Sequence, residues 1–380
     1  MKRQKADMEE LMPQLIQEWR RFTKVGGPPE VLQTREFRGV VGSLKTMRHA
    51  FEKSPQALGR NYFSDRKLLA DYLLYFWPLH YQEALSILSE IPTTPNKVLD
   101  ICSGPCPIAF AALKLGCSEV IAMDQNLEAM RLGATICGRQ GFPLTIRKAN
   151  FLTDKLPAGE KFDLITIGHA LDELFPNDQK KQEGFIKKLL RHLSPSGYLV
   201  IIESSLPEKN RRILQTRESF VEQGIPVQAP CVWQGKCPAL EGKFPCFAQR
   251  EYEKPYVIKE LQRAMQINLG SLKASYLILR SPEADWPKLP ENEHYRVVSP
   301  PFDKPEGKQF YLCGTTGKMK LCSRLPTLPK AARAFQYLKR GELISIEGAL
   351  KSSNSLHLRE ESRVTVEAAC GKPIPEEYHS

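Results

Sequence analysis

Residues 98–110 read VLDICSGPCPIAF, and residues 119–124 read EVIAMD. The first stretch decides the fold. An apolar run reaches an acid, Asp100, and a turn of small residues and the start of a helix follow. The second run ends in another acid, Asp124, about two dozen residues on, the spacing at which a second strand brings its end to a bound ribose. Outward from this pair the rhythm continues. LTIRKAN (144–150), FDLITIGHA (162–170) and GYLVIIES (197–204) read as a third, fourth and fifth strand. The helix QEGFIKKLLRHL (182–193) precedes the fifth, with Ser194-Pro195-Ser196-Gly197 as its stop signal. Strands alternating with helices at this spacing give a mostly parallel sheet covered on both faces. Ligands of such sheets bind beyond the carboxyl ends of the strands.

Before residue 90 the pattern is helical. LMPQLIQEW and SDRKLLADYLLYFWPLHYQEALSILSEI repeat apolar positions at three- and four-residue spacing, and the aromatic run Tyr62 to Tyr81 reads as a face packed on a neighbouring domain. After Glu203 come a basic helix (Pro207 to about Gln223), a cysteine stretch and a helix from about Pro255 to Gln266. The strands ASYLILR and KQFYLCG follow, parted by a Pro-rich loop from Pro282 to Lys308. ELISIEG and SRVTVEAA suggest a small β unit in the tail. The divisions drawn are 1–90 (helical), 91–225 (α/β core), 226–254 (cysteine-rich insertion), 255–322 (last core strands) and 323–380 (C-terminal extension).

The chain has 380 residues with 42% hydrophobic and 26% charged content, ordinary for a globular protein. Its 54 Lys and Arg against 43 Asp and Glu give a net charge of +11, which favours a polyanionic partner such as nucleic acid or an anionic membrane surface. No apolar run approaches the roughly 20 residues of a membrane span. MKRQKADMEELMPQ lacks the apolar centre of a secretory signal, and Asp7, Glu9 and Glu10 are foreign to a transit peptide. A cytoplasmic protein with no membrane partner is expected, with its ten cysteines as thiols or metal ligands rather than disulfides.

An acid before the turn, rather than a leading glycine, is similar to the D-x-G-x-G-x-G arrangement of S-adenosylmethionine-dependent methyltransferases. That resemblance implies a class I (Rossmann-like) methyltransferase fold, with Asp100, Ser103, Gly104, Asp124, Asn150 and His169 as cofactor contacts. Where its pattern has glycine at 102, 104 and 106, this chain has Cys102, Gly104 and Cys106. Side chains at 102 and 106 narrow the approach and restrict φ. No catalytic group is evident. The aromatic N-methylation signature is missing after strand four. Ala229-Pro230-Cys231 follows strand five with Gln228 before it, unlike the Pro-Cys nucleophile of RNA cytosine methyltransferases. Asp172 and Glu173 read as first-turn acids of a helix.

Cys231, Cys237 and Cys246 form C-x5-C-x8-C. Zinc sites prefer two to four residues between paired ligands, whereas iron–sulfur ligands are spaced more variably and often draw a distant fourth cysteine. Zinc, a cluster and free thiols stay open on spacing alone, with Cys313 and Cys322 available as a fourth ligand. Cys102, Cys106, Cys117, Cys137 and Cys370 read as small buried residues.

Ala229-Pro230-Cys231, Cys237-Pro238, Pro245-Cys246-Phe247 and Arg250 together resemble the cysteine motif of a small-ribosomal-subunit assembly family, the one that includes mitochondrial methyltransferase-like protein 17 and relatives in yeast and bacteria. The family's Trp and His flanking the third cysteine are missing here. YLCGTTGKMKLC (311–322) resembles the family's strand ending in Cys-Thr-x-x-Gly-x-Leu, and SGPC and LDEL resemble its altered turn and its Leu-Asn-Glu-Leu segment. The resemblance runs from about Asn61 to Arg340. It implies a 4Fe-4S cluster on Cys231, Cys237, Cys246 and Cys313 (rather than Cys322) in a cysteine-rich insertion, beside the N-terminal helical domain and small C-terminal β extension read from the residues. It also implies binding to the small ribosomal subunit and its rRNA, in the mitochondrial matrix if the source is eukaryotic; a monomer is expected. The alternatives are an active rRNA methyltransferase and a small-molecule methyltransferase. Lys187, Lys188 and Arg191 on one helix, with Lys180 and Lys181, and Arg211 and Arg212 on the next, with Lys209 and Arg217, are the expected RNA contacts. Lys339 and Arg340 add to them.

Overall fold

The computed structural model describes residues 7–53, 59, 61–154, 156, 159–225, 227–242, 245–284, 294–305 and 307–368. Helices α1 (Met8–Thr23), α2 (Thr34–Lys53), α3 (Arg66–Tyr72) and α4 (Phe76–Leu88) come first. Then follow β1 (Lys97–Ile101), α5 (Pro107–Lys114), β2 (Glu119–Asp124), α6 (Leu127–Arg139), β3 (Leu144–Lys148), β4 (Phe162–Gly168), α7 (Leu171–Leu174), α8 (Gln179–Leu190) and β5 (Leu193–Ser204). Next are α9 (Pro207–Glu222), β6 (Val227–Ala229), α10 (Pro238–Glu241), β7 (Ala248–Arg250), α11 (Tyr256–Ala264) and β8 (Leu272–Arg280). The chain ends in β9 (His294–Val297), β10 (Phe302–Lys304), β11 (Gly307–Gly314), β12 (Gly317–Ser323), β13 (Leu343–Glu347), β14 (Leu350–Ser352), β15 (Ser355–Leu358) and β16 (Arg363–Ala368).

Two compact units divide these residues. The amino-terminal unit is Gln4–Val200 with Tyr252–Leu272, and the carboxyl-terminal unit is Ile201–Glu251 with Lys273–Ser380. In the first, the strand order is β3-β2-β1-β4-β5. β1 pairs in parallel with both β2 and β4, and β2 with β3. This is the doubly wound, Rossmann-like order, which opens a crevice where β1 and β4 lead away in opposite directions. β1 and β4 are apolar almost throughout because helices cover both faces of a parallel sheet. Helix starts carry their signals: Pro107 opens α5, Asn126 caps α6 by accepting from Ala129 N–H at 2.9 Å, and Asp178 caps α8 by accepting from Lys181 N–H at 3.0 Å.

The helices expected as a domain of their own fall in the same unit as this sheet. Trp77 and Tyr81 of α4 pack edge-on against Phe110 of α5, with ring centroids 5.2 and 5.0 Å away, so the aromatic run is core. β5 starts four residues before the expected Gly197. The Ser194–Gly197 stretch is strand because it lies tight against β4: Ser194 donates to Asp163 at 2.8 Å, and a Cβ on Gly197 would come within 2.8 Å of the Phe162 carbonyl oxygen.

In the carboxyl-terminal unit β8 pairs with β6 antiparallel and also with β7. A second sheet runs β14-β15-β12-β11-β9-β13-β16, with β10 on β11. Two expectations are corrected here. KQFYLCG, taken as a last strand of the α/β core, is β11 of this second sheet. Its Phe310 and Leu312 alternate into a separate hydrophobic core with Val297, Leu321, Phe335, Ile344 and Leu358. The Pro282–Lys308 loop contains β9 and β10, and β9 forms because Tyr295 and Val297 enter that same core. Residues 285–293 of that loop, and Cys370, lie outside the described residues.

Candidate cofactor turn and cysteine centre

Between β1 and α5 the backbone turns left-handed three times, at Cys102 (φ 55°), Gly104 (φ 51°) and Cys106 (φ 62°). These are the three positions where the resembled pattern has glycine. The glycine conformation persists with cysteine in two of the places, at roughly 1–2 kcal/mol of strain for each side chain. Neighbours hold the turn in place. The Pro105 carbonyl accepts from Trp77 Nε1 at 2.8 Å, and a Cβ on Gly133 of α6 would come within 2.5 Å of that oxygen. A Cβ on Gly104 would come within 2.8 Å of the Phe63 ring.

The two strand-end acids differ in task. Asp100, fully buried, accepts from Thr166 Oγ1 at 2.6 Å and from Ala109 N–H at 3.2 Å. Burial pushes its carboxyl up to about 7 despite those bonds. Ser103 Oγ donates to the Asp100 carbonyl at 2.7 Å and accepts from Met123 N–H at 3.0 Å, stitching β1 to β2. Asp124, half-buried, accepts from Gly104 N–H at 2.9 Å and Asn126 N–H at 2.8 Å. Burial raises its carboxyl too. Of the expected cofactor contacts, Gly104 and Asp124 therefore meet at one place, while Asp100 and Ser103 build the frame beneath them. Asn150 follows β3 and accepts from Leu152 N–H at 3.0 Å, heading a tight turn.

His169, at the end of β4, is also left-handed (φ 55°). Its Nε2 meets Glu83 Oε2 at 2.8 Å, and its ring stacks on His80 at 4.0 Å. His80 Nδ1 in turn meets the Tyr72 hydroxyl at 2.6 Å. Glu173 presses its charge on Tyr62, Tyr72 and Cys102, behind burial as the larger cause of their raised pKa values. Asp172 accepts from Gln182 at 3.1 Å. Glu83, His169, His80 and Tyr72 thus form one connected polar chain at the end of β4, and Tyr72, His80 and Glu83 were missed from sequence. The only signal for His80 and Glu83 is their place three residues apart in the largely buried helix FWPLHYQEALSIL.

The cysteine stretch lies in the carboxyl-terminal unit. Cys231, Cys237 and Cys246 leave β6, α10 and the approach to β7, and Cys313 comes from β11. Burial raises the thiols of Cys237, Cys246 (to about 12) and Cys313, and in each the charges of other members of the four add to it. The four thiols therefore lie within electrostatic reach of one another. Backbone near every cysteine is tied down. Arg296, which pairs with Cys313 across β9 and β11, donates to the Pro230 carbonyl at 2.8 Å. Arg340 donates to the Pro245 carbonyl at 3.0 Å and lies 4.0 Å over the Phe247 ring. Asn210 donates to the Cys246 carbonyl at 2.7 Å, and Glu218 accepts from Cys237 N–H at 2.9 Å. Arg217 donates to the Gly235 carbonyl at 2.6 Å and to that of Trp233. Cys322 pairs with Gln309 at the far end of the β11–β12 hairpin, and its sulfur meets His357 Nδ1 at 3.2 Å.

The family described as mitochondrial small ribosomal subunit Rsm22 matches residues 69–336, well over half of the chain. The protein belongs to the Rsm22 family. Both the turn and the cysteine centre lie inside the matched span. Curated relatives match a shorter piece. The ubiquinone/menaquinone biosynthesis C-methyltransferase UbiE of Azotobacter vinelandii is 30% identical over 115 residues, 30% of this chain and 44% of that protein. UbiE of Pseudomonas aeruginosa is 29% identical over 118 residues, again 44% of its length. The chain thus spans under half the length of these relatives. Among solved structures, the N-methyltransferase NodS of Bradyrhizobium japonicum, bound to S-adenosyl-L-homocysteine, is similar at 17% identity and TM-score 0.34. That likeness covers 64% of this chain and 100% of NodS. The ribosomal protein L11 methylase of Lactobacillus delbrueckii is similar at 23% identity and TM-score 0.30, over 40% and 72%. Scores this low decide nothing, so the fold stands on the strand order.

In this Rsm22-family chain the expected basic contacts separate by burial. Lys180, Lys181, Lys187, Lys188 and Arg191 are exposed on and just after α8, and Arg211 is exposed on α9. Arg212 and Lys209 are half-buried. Arg217 is a correction: it is fully buried, because its guanidinium is spent on the cysteine loop. Arg340 is engaged by the same loop, and Lys339 pairs with Glu251. Among the described residues, no helix is long and apolar enough to cross a membrane.

Proposed function

We propose that this protein binds the small ribosomal subunit and its rRNA during assembly, as a 4Fe-4S protein built on a methyltransferase-type frame. Family membership supports the ribosomal part. The gathering of Cys231, Cys237, Cys246 and Cys313 carries the rest. Among the described residues, no three or more His, Cys, Asp or Glu side chains are grouped so as to hold one metal ion. The donor set still suits a larger thiolate-bound group. All four candidates are cysteines, the usual ligands of iron–sulfur clusters, and the Arg217 guanidinium beside Cys231 keeps a buried Nε–H that makes no aligned hydrogen bond among the described residues. Bound there, a cluster would supply folding free energy to a loop poor in helix and strand. The chain's own part is to hold the four cysteine backbones through Asn210, Arg217, Glu218, Arg296 and Arg340. The compartment would be the cytoplasm, or the mitochondrial matrix in a eukaryote.

Protein purified without oxygen should be brown, with a broad band toward the blue that dithionite bleaches. Cys231→Ser and Cys313→Ser should abolish the colour, and Cys322→Ser should keep it. A colourless protein holding stoichiometric zinc would overturn the reading.

A second reading, an active methyltransferase on rRNA, is favoured by the left-handed turn kept at residues 102, 104 and 106 and by Asp124 at its edge. S-adenosylmethionine would meet Gly104 and Asp124 above the frame of Asp100 and Ser103, with Asn150 and His169 at the flanks. Labelled methyl transfer to assembly intermediates separates this reading from binding alone. Absence of salt-sensitive RNA retention would leave a small-molecule methyltransferase.

A further inference from the structure

Arg217 is an odd residue to find at full burial, since lysine and arginine almost never reach it without close pairing. Its Nη1 meets Glu218 Oε2 at 2.9 Å and the Gly235 carbonyl at 2.6 Å, and its Nη2 takes the Trp233 carbonyl. Its Nε is buried and makes no aligned hydrogen bond among the described residues, although the guanidinium as a whole already lies within hydrogen-bonding reach of the Cys231 thiol. A buried cationic donor left without a well-made hydrogen bond forfeits its hydration with nothing in return. The same guanidinium interacts with the Cys231 thiol and lies within electrostatic reach of Cys237 and Cys313, and the two carbonyls it holds belong to the loop between Cys231 and Cys237. A cation with a spare donor, fixed on three sides and facing thiols, is arranged to receive a negatively charged, sulfur-rich acceptor.

We propose that Arg217 is the positioning residue of the cysteine centre, donating from Nε to a sulfur of the bound cluster and setting its reduction potential. This rests on the cluster reading above. The physics is direct. Reduction adds one negative charge to the cluster. A fixed positive charge and an N–H···S hydrogen bond both stabilise the reduced form, so they raise the potential. The two carbonyl bonds hold the guanidinium in register with the loop, which makes the donor rigid. Glu218 offsets part of the charge while anchoring Cys237 through its backbone N–H.

The test compares anaerobically purified wild type with Arg217→Gln and Arg217→Lys. Iron and sulfide content, the midpoint of a dye-buffered reductive titration and cluster lifetime in excess chelator are measured, with hydrogen exchange over residues 229–250 as the check on folding. Arg217→Gln should keep a folded loop, lower the midpoint and shorten the lifetime at least tenfold. Arg217→Lys keeps the charge without the planar fork, and should fall between. Wild type and Gln variant with equal midpoints and equal lifetimes would overturn the proposal and leave the cluster reading standing. If the Gln variant does not fold, the Lys variant decides, and a wild-type midpoint there overturns it. Wild type with zinc and no iron sinks the cluster reading and this role with it.

Discussion

Two cysteines in left-handed backbone set a test at the level of single residues. Cys102→Gly removes the strain of a side chain at φ 55° on a half-buried residue, so stability should rise by about 1 kcal/mol in urea titration. Cys106→Gly gains the same backbone relief but empties a fully buried position, so it should come out neutral or worse. Gly133→Ala pushes a methyl against the Pro105 oxygen and should cost about 1–3 kcal/mol, because backbone must yield. Asp100 adds a pH dependence. Its carboxyl titrates at about 7 when folded, against roughly 3.9 in an unfolded chain. The folded state therefore holds the proton longer, and stability falls as pH rises from about 4 to 7, by an amount on the order of 4 kcal/mol. Glu342, buried and also raised to about 7, acts with the same sign. Asp100→Asn should flatten the slope of stability against pH in that window without abolishing it, and an unchanged slope would show that Asp100 is ionised throughout.

Among elements, α8 and α9 make the clearest contrast. Both read as basic helices in sequence, yet α8 turns Lys187 and Lys188 to solvent while α9 turns Arg217 inward. Each phosphate contact contributes about 0.9 to the slope of log affinity against log salt. Charge reversal of Arg211 should flatten that slope by about one, and reversal of Lys187, Lys188 and Arg191 together by between two and three. Hydrogen exchange should stay unaltered in both. An unaltered salt slope in both variants moves the RNA face elsewhere. This contrast also marks how far sequence reaches. β1, β2, β4 and the turn were legible because buried parallel strands are continuous apolar runs and because acids at strand ends stand out. Cys313 was favoured over Cys322 only through a resemblance. Arg217 could not be read, since helical spacing gives a residue's angle about its own axis and says nothing of which loop covers that side. β9 was hidden by the prolines on either side of it, since a four-residue strand declares itself only through a partner such as β11, distant in sequence.

At the scale of the whole molecule, every proposed cluster ligand lies in the carboxyl-terminal unit and every proposed methyl-donor contact in the amino-terminal one. Stripping iron with a chelator should therefore cost hydrogen-exchange protection in residues 229–250 and in β11, while β1, β2 and β4 keep theirs. Equal losses across both units would show one cooperative body. The place of Cys313 has a consequence in time. A chain made at ~5–20 residues per second presents Cys246 several seconds before the strand that carries Cys313 exists. During that interval three thiols wait beside one another with their fourth companion still unmade. Arg296 and Arg340, which anchor two of them, are unmade as well. Assembly of the proposed centre would then wait until residues 313–340 are made, and a ribosome paused between residues 246 and 313 would hold these three thiols open to oxidation.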